Sequence, residues 1–107
     1  MTDDPAILAL LAEARVQFAA GLPAKAAELE SLVARGGWED ARRSAHKLRG
    51  SSGTYGFAAL SEAAAEVEEA LIEAGATPDE AARQRVVGLV RAVAAQVEQA
   101  VAFQGHP

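Results

Sequence analysis

The sequence predicts an all-α fold: an antiparallel up-down four-helix bundle with an additional short helix at the N-terminus. Half of the 107 residues are hydrophobic but only 5% are aromatic, a composition typical of closely packed helices. Apolar residues recur at three- and four-residue steps along most of the chain. Short turns separate these segments, and helices joined by short turns pack antiparallel. At this length we expect a single domain, residues 1–107.

The additional helix is predicted to begin at Asp4, as N-cap, with Pro5 in its first position. Its expected apolar stripe is Ile7, Leu8, Leu11, Ala14 and Phe18. Pro23 lacks a backbone donor and clashes with the preceding turn, so it interrupts the pattern. A kink would also fit, because Leu22, Ala26, Leu29 and Val33 continue nearly in phase. We expect a break, with the second helix ending at Arg35.

The third helix is predicted to start near Trp38 and to end between Ser52 and Thr54, in a turn closed by Gly56. Its expected buried stripe is Trp38, Ala41, Ala45, Leu48 and Ser52. The fourth helix is expected to bury Phe57, Leu60, Ala64, Val67 and Leu71 and to end at Gly75.

A capping box from Thr77 to Glu80, with Pro78 at the first helical position, is predicted to open the fifth helix. This helix is expected to run to about Phe103 and to bury Val86, Val90, Val93, Val97 and Val101. We expect the tail from about residue 104 to be frayed.

Composition and charge exclude several classes of function. A net charge of -5 argues against nucleic acid as a partner, because binding to phosphates demands a basic surface. No secretory signal precedes the first helix, and no apolar run approaches the ~20 residues that span a bilayer. We therefore expect a cytoplasmic monomer without a membrane partner. With no cysteine, the chain has neither disulfides nor thiolate metal sites, and we expect no metal site.

The functional signal lies in residues 45–57. His46 stands just off the buried stripe of its helix, and Arg42, Arg43, Arg49 and Gly50 lie one turn away. A glycine inside a helix costs about 1 kcal/mol relative to alanine, so the presence of glycine at position 50 needs an explanation. We propose that Gly50 leaves room for a group bound to the imidazole. The surrounding cations favour an anion there, and Arg49 has the donor geometry for phosphate oxygens.

At these residues the sequence resembles the histidine phosphotransfer (HPt) domains of phosphorelays. The family motif reads roughly His-x-Leu-Lys-Gly-Ser-(Ser/Ala)-x-x-x-Gly, followed by an apolar helix. The matching residues are His46, Leu48, Gly50, Ser51, Ser52 and Gly56. Arg49 stands where the family usually has lysine. Family members often carry a glutamine or glutamate on the next helix that touches the histidine, and the corresponding residue is Glu68.

The resemblance implies that His46 accepts a phosphoryl group and that Glu68 orients its ring. Arg49 would contact the phosphoryl oxygens, with Lys47, Arg42 and Arg43 as weaker candidates that are more simply solvated charges. The Ser51 hydroxyl would bond either to the phosphoryl group or back to the helix backbone, and both readings stay open.

The implied partners are response-regulator receiver domains and a sensor or hybrid histidine kinase. No cofactor is expected, and the receiver would bring any Mg²⁺. The chain has no nucleotide-binding motif, so we expect a phosphoryl carrier rather than an enzyme with its own ATP site. A helical adaptor that binds a partner through the same face without phosphorylation is the alternative. A hydrolase with His46 as base is a weaker one, because no nucleophile partner accompanies it.

Overall fold

In the computed structural model, which describes residues 4–104, the chain forms a bundle of four helices. They are α1 (Pro5–Ala34), α2 (Trp38–Thr54), α3 (Ala58–Ala74) and α4 (Glu80–Gln104), with no strand in the described range. Consecutive helices pack on each other, and α1 also packs on α4, so the four enclose one core. Short turns make the neighbours antiparallel. The core consists almost entirely of leucine, valine and alanine.

The prediction of a separate N-terminal helix was wrong, because α1 is continuous and Pro23 lies inside it. Pro23 is exposed, whereas Leu22 and Leu29 are fully buried. A proline inside a helix costs about 3 kcal/mol, and each buried leucine returns about 2 kcal/mol. The packing of α1 along the bundle therefore outweighs the proline, and the helix also ends at Ala34 rather than Arg35.

The prediction that the apolar stripe of the first helix is buried was wrong for the N-terminal half of the stripe. Ile7, Leu8 and Leu11 are 43%, 51% and 56% exposed. Burial on α1 begins with the partly buried Ala14 and Arg15 and is complete at Ala19, where the helix meets the turn between α2 and α3. The predicted stripes of the later helices are confirmed, except that Trp38 and Phe57 are only partly buried and Val101 is 37% exposed.

The turn between α2 and α3 is a Schellman motif around Gly56. The backbone N–H of Gly56 donates to the carbonyl of Gly53, and the backbone N–H of Phe57 donates to the carbonyl of Ser52 at 2.8 Å. Gly56 has a φ of +83°, which a residue with a Cβ adopts only at a cost. The turn ends α2 and directs α3 back along it.

Gly56→Ala is expected to lower the free energy of unfolding by about 1–2 kcal/mol, because alanine would be held in the left-handed region. Urea denaturation measures the change. The matched control is Gly88→Ala, a helical position where an added Cβ meets no atom within 4 Å, and which should instead be stabilised. Equal stability of the Gly56 variant and wild type would contradict the account of this turn.

The start of α4 differs from the predicted capping box. Asp79, not Thr77, caps the helix: its carboxylate accepts from the backbone N–H of Ala82 at 2.8 Å. Pro78 precedes the helix and is buried. Aspartate is a stronger N-cap than threonine, and with Asp79 as the cap the helix starts at Glu80.

Two helices, Pro5–Ala34 and Glu80–Phe103, are long and apolar enough to cross a membrane by length and composition alone. Both also supply buried side chains to the core of the bundle. Helices of this length and composition also occur in the cores of helical bundles.

Candidate phosphotransfer site

His46 lies at the middle of α2, on the outer surface of the bundle. Ala45 and Leu48 on either side of it are buried and fix the rotation of the helix, so that the His46 side chain is 67% exposed. Residues one turn away share its face. The ring is therefore held on a rigid element and remains open to a large partner.

Glu68 of α3 reaches across to this histidine. Its Oε2 lies 2.7 Å from Nδ1 of His46, and its Oε1 accepts a hydrogen bond of 3.1 Å from Nη1 of Arg49. An ionised carboxylate only accepts, so Nδ1 must carry the proton. In the neutral imidazole this leaves Nε2 with a free lone pair. The arrangement selects the tautomer in which Nε2 carries the free lone pair.

The Glu68 carboxylate is buried, with the residue only 6% exposed. Burial by itself raises the pKa of this carboxyl group, but the hydrogen bonds from Arg49 and His46 and the charges of both groups outweigh it, and the pKa is lowered. Glu68 is therefore ionised at neutral pH and acts as a fixed acceptor between α2 and α3.

The four candidate cations differ in their surroundings. Arg42 forms two hydrogen bonds with Glu39, at 2.6 and 3.1 Å, and Arg43 pairs with Asp40 at 3.2 Å. Arg49 is half-exposed and forms an ion pair with Glu68. Lys47 is exposed and forms none of the ion pairs found within residues 4–104.

These pairings divide the predicted cations into two groups. Arg49 pairs with Glu68 of α3, and Lys47 makes no ion pair within residues 4–104. The guanidinium groups of Arg42 and Arg43 are each engaged by a carboxylate one turn earlier on α2, and i,i+3 spacing in the sequence is the signal for such pairs.

Gly50 leaves open space beside His46. A Cβ built at this position meets no atom within 4 Å, apart from the helix's own nearby backbone. Ser51, the next residue, is half-buried, and its hydroxyl makes none of the side-chain hydrogen bonds found within residues 4–104. Its hydroxyl therefore has capacity for another partner.

Sequence reasoning missed the contact that brings α3 close to the site. The Ser61 hydroxyl of α3 donates to the backbone carbonyl of Arg49 at 2.8 Å. A Cβ at Gly53 would lie 3.4 Å from the same hydroxyl, so glycine lets the two helices approach there. A second glycine three residues after Gly50 was the signal for this close approach.

The family model of the Hpt domain matches residues 13–103, most of the chain. Comparison with curated proteins and comparison with solved structures each give no match. The matched residues include all of α2 and α3, and with them His46 and Glu68. The chain belongs to the Hpt domain family, whose members are helical, generally water-soluble phosphocarrier domains that take part in phosphorelays.

Proposed function

We propose that this chain is one domain that accepts a phosphoryl group on Nε2 of His46 and exchanges it with the aspartate of a response-regulator receiver domain. The observation that carries the proposal is the 2.7 Å contact between Glu68 and Nδ1 of an otherwise exposed histidine. That contact leaves one nitrogen nucleophilic and accessible.

The transfer step needs no general base, because the attacking nitrogen carries no proton. The lone pair of Nε2 attacks the phosphorus of the aspartyl phosphate, an N–P bond forms, the acyl P–O bond breaks, and the carboxylate of the aspartate leaves. The ring then carries a positive charge, with the proton still on Nδ1 and the Glu68 carboxylate 2.7 Å away. Arg49 and Lys47 would meet the phosphoryl oxygens. Return transfer reverses each step.

The partner supplies what the bundle lacks. We propose that the receiver holds any Mg²⁺ required, and that a sensor or hybrid kinase provides the phosphoryl group from ATP upstream. The chain would act in the cytoplasm as a carrier with no ATP site. The receiver would approach α2 along the groove between α1 and α2, whose lining includes Leu32, Lys47, Ser51 and Tyr55.

Incubation of the chain with a phosphorylated receiver tests the proposal. The expected result is label on the chain that is lost in acid and retained in base, as for an N–P bond. A bound receiver without any transferred label would favour the adaptor function instead. If no member of a panel of receivers and kinases labels or binds the chain, both the carrier function and the adaptor function are contradicted.

Substitutions at Gly50 test whether phosphoryl transfer needs the open space that this glycine leaves beside His46. Gly50→Ala should be as stable as wild type or up to about 1 kcal/mol more stable, because a Cβ there enters open space. Gly50→Gln should also fold. Both should slow transfer from the receiver, glutamine more strongly, because they fill the approach to His46.

Melting temperature and transfer rate are measured together. Gly88→Ala is the matched control, since it adds a Cβ in equally open space on α4 and should leave transfer unchanged. Gly50 variants as fast as wild type would remove the space requirement from the proposal.

A further inference from the structure

Arg49 of α2 contacts α3 through both its main chain and its side chain. Its backbone carbonyl accepts a hydrogen bond of 2.8 Å from the Ser61 hydroxyl, and its Nη1 donates to Oε1 of Glu68 at 3.1 Å. Ser61 and Glu68 are seven residues apart and therefore lie on the same face of α3. The main chain of Arg49 is thus held against α3, and its guanidinium reaches Glu68 from a fixed base.

The carboxylate of Glu68 has a different partner on each oxygen. Oε2 lies 2.7 Å from Nδ1 of His46, and Oε1 lies 3.1 Å from Nη1 of Arg49. The last torsion of a glutamate side chain has broad preferences, so the side chain itself does not fix the plane of the carboxylate. The two oxygens turn together about this torsion. The hydrogen bond from Arg49 to one oxygen therefore fixes the direction in which the other oxygen faces the imidazole ring.

Arg49 also determines whether this carboxyl group accepts or donates. Burial raises the pKa of the Glu68 carboxyl group, and the hydrogen bond from Arg49 is the largest of the interactions that lower this pKa. Without the guanidinium, the buried group would shift toward its neutral form. A neutral carboxyl group has an O–H and can donate to Nδ1. The proton of the neutral ring would then lie on Nε2, and the free lone pair of that nitrogen would be lost.

The other charged groups around the site do not replace Arg49. Those that line the groove beside His46 are Lys25, Glu28 and Arg35 of α1 and Asp40, Arg43 and Lys47 of α2, and on α3 the exposed Glu66 and Glu69 stand close to Glu68 in the sequence. Within residues 4–104, Glu68 forms ion pairs with His46 and Arg49 alone, and none joins α3 to α1 or α4. Arg42, which interacts with Glu68 at longer range, is held by Glu39.

We propose that Arg49 is a positioning residue for His46 and acts through Glu68. It occupies one oxygen of the carboxylate, so that the other oxygen accepts the Nδ1 proton and Nε2 is left without a proton. The consequence for phosphoryl transfer rests on the proposed function, because only an Nε2 with a free lone pair can take up a phosphoryl group. The positioning itself needs no phosphoryl group at the site, and it is therefore separate from a contact between Arg49 and phosphoryl oxygens.

Arg49→Met tests this role, because it removes the charge and the donors and keeps an unbranched side chain. The variant should fold, since Arg49 is half-exposed and methionine is a good helix former. Nitrogen NMR of the His46 ring and carbon NMR of the Glu68 carboxyl group are recorded on the unphosphorylated chain. We expect the fraction of the neutral ring that carries its proton on Nε2 to rise at least about threefold, and Glu68 to titrate at a higher pH than in the wild type.

Arg91→Met is the matched control for these spectra. Arg91 is exposed on α4, a helix that does not pack on α2, and its substitution should change neither signal.

The path through Glu68 is tested by combining two variants. In the Glu68→Ala background, Arg49→Met should leave the tautomer ratio unchanged, because the group on which Arg49 acts is gone. The loss of transfer rate caused by Arg49→Met should be at least about threefold smaller in that background than in the wild-type chain. The loss that remains measures the contact of Arg49 with the phosphoryl group.

Two results would overturn the proposal. One is an Arg49→Met chain with the wild-type tautomer ratio and Glu68 titration, which would assign Arg49 to the phosphoryl oxygens alone if transfer were still slower. The other is an equal loss of rate in both backgrounds, because the two residues would then act independently. A wild-type chain that has its ring proton on Nδ1 but takes up no label would instead contradict the proposed function, and the spectra would still decide the effect of Arg49 on the ring.

Discussion

His46→Gln is expected to abolish acid-labile labelling of the chain by a phosphorylated receiver, to below a hundredth of the wild-type level. Glutamine has no nucleophilic nitrogen, so the N–P bond cannot form. The fold should persist, because the His46 side chain is 67% exposed and carries little of the core. Labelling is followed by gel electrophoresis under basic conditions, and folding by circular dichroism.

The matched control for this variant is His106→Gln, which removes the only other histidine of the sequence. It should label like the wild type. If the His46 variant takes up label at the wild-type rate, the phosphoryl acceptor lies elsewhere and the assignment fails.

Glu68→Ala is expected to slow transfer by about 10–100-fold, the usual effect of removing the group that orients a functional histidine. The acceptor for Nδ1 is lost, so both tautomers and more ring orientations become populated. Nitrogen NMR of the His46 ring should show the change of tautomer directly, which a purely structural role would not produce. The control is Glu69→Ala, which removes the neighbouring exposed carboxylate and should alter neither quantity.

The same variant should change the dependence of stability on pH. The pKa of Glu68 is lowered in the folded state, so its contribution is fully present above the pKa of the unfolded chain, about 4.3. The contribution is lost as the pH falls through the lower folded pKa. At pH 7 the variant should be less stable by about 1–3 kcal/mol, since hydrogen bonds to a charged group are removed. Urea denaturation should show this difference shrinking below pH 4, and a constant difference would contradict the pairing.

The predictable part of this fold is the part in which local pattern and tertiary packing agree. On α2 the apolar steps, the acidic first turn and the terminal glycine all point to the helix that the structure contains. The position of Glu68 opposite His46 followed from the family resemblance, since periodicity alone gives a helix but not which residues of two helices meet. Interhelical contacts depend on the register of packing, which no single segment encodes.

The errors have the same origin. Pro23 is a strong local signal for a break, but the stripe around it packs against α2 and α4, and that packing decides the outcome. Leu8 and Leu11 have the spacing of core residues, yet burial depends on how far α2 and α3 extend alongside them. The ion pairs of Arg42 and Arg43, by contrast, follow from the i,i+3 spacing of the acidic residues before them on the same helix.

The position of His46 along α2 has a consequence for the electrostatics of the site. Eight residues of the helix precede it and eight follow it, so it is more than two turns from either end. The charge of a helix dipole acts mainly within the first and last turns. Unlike phosphate sites built on the N-terminus of a helix, this site thus receives almost nothing from the backbone. Under the proposed function, side chains alone, chiefly Arg49, Lys47 and Glu68, would set the potential that an incoming phosphoryl group meets, and single substitutions would change it without disturbing the helix that carries the histidine.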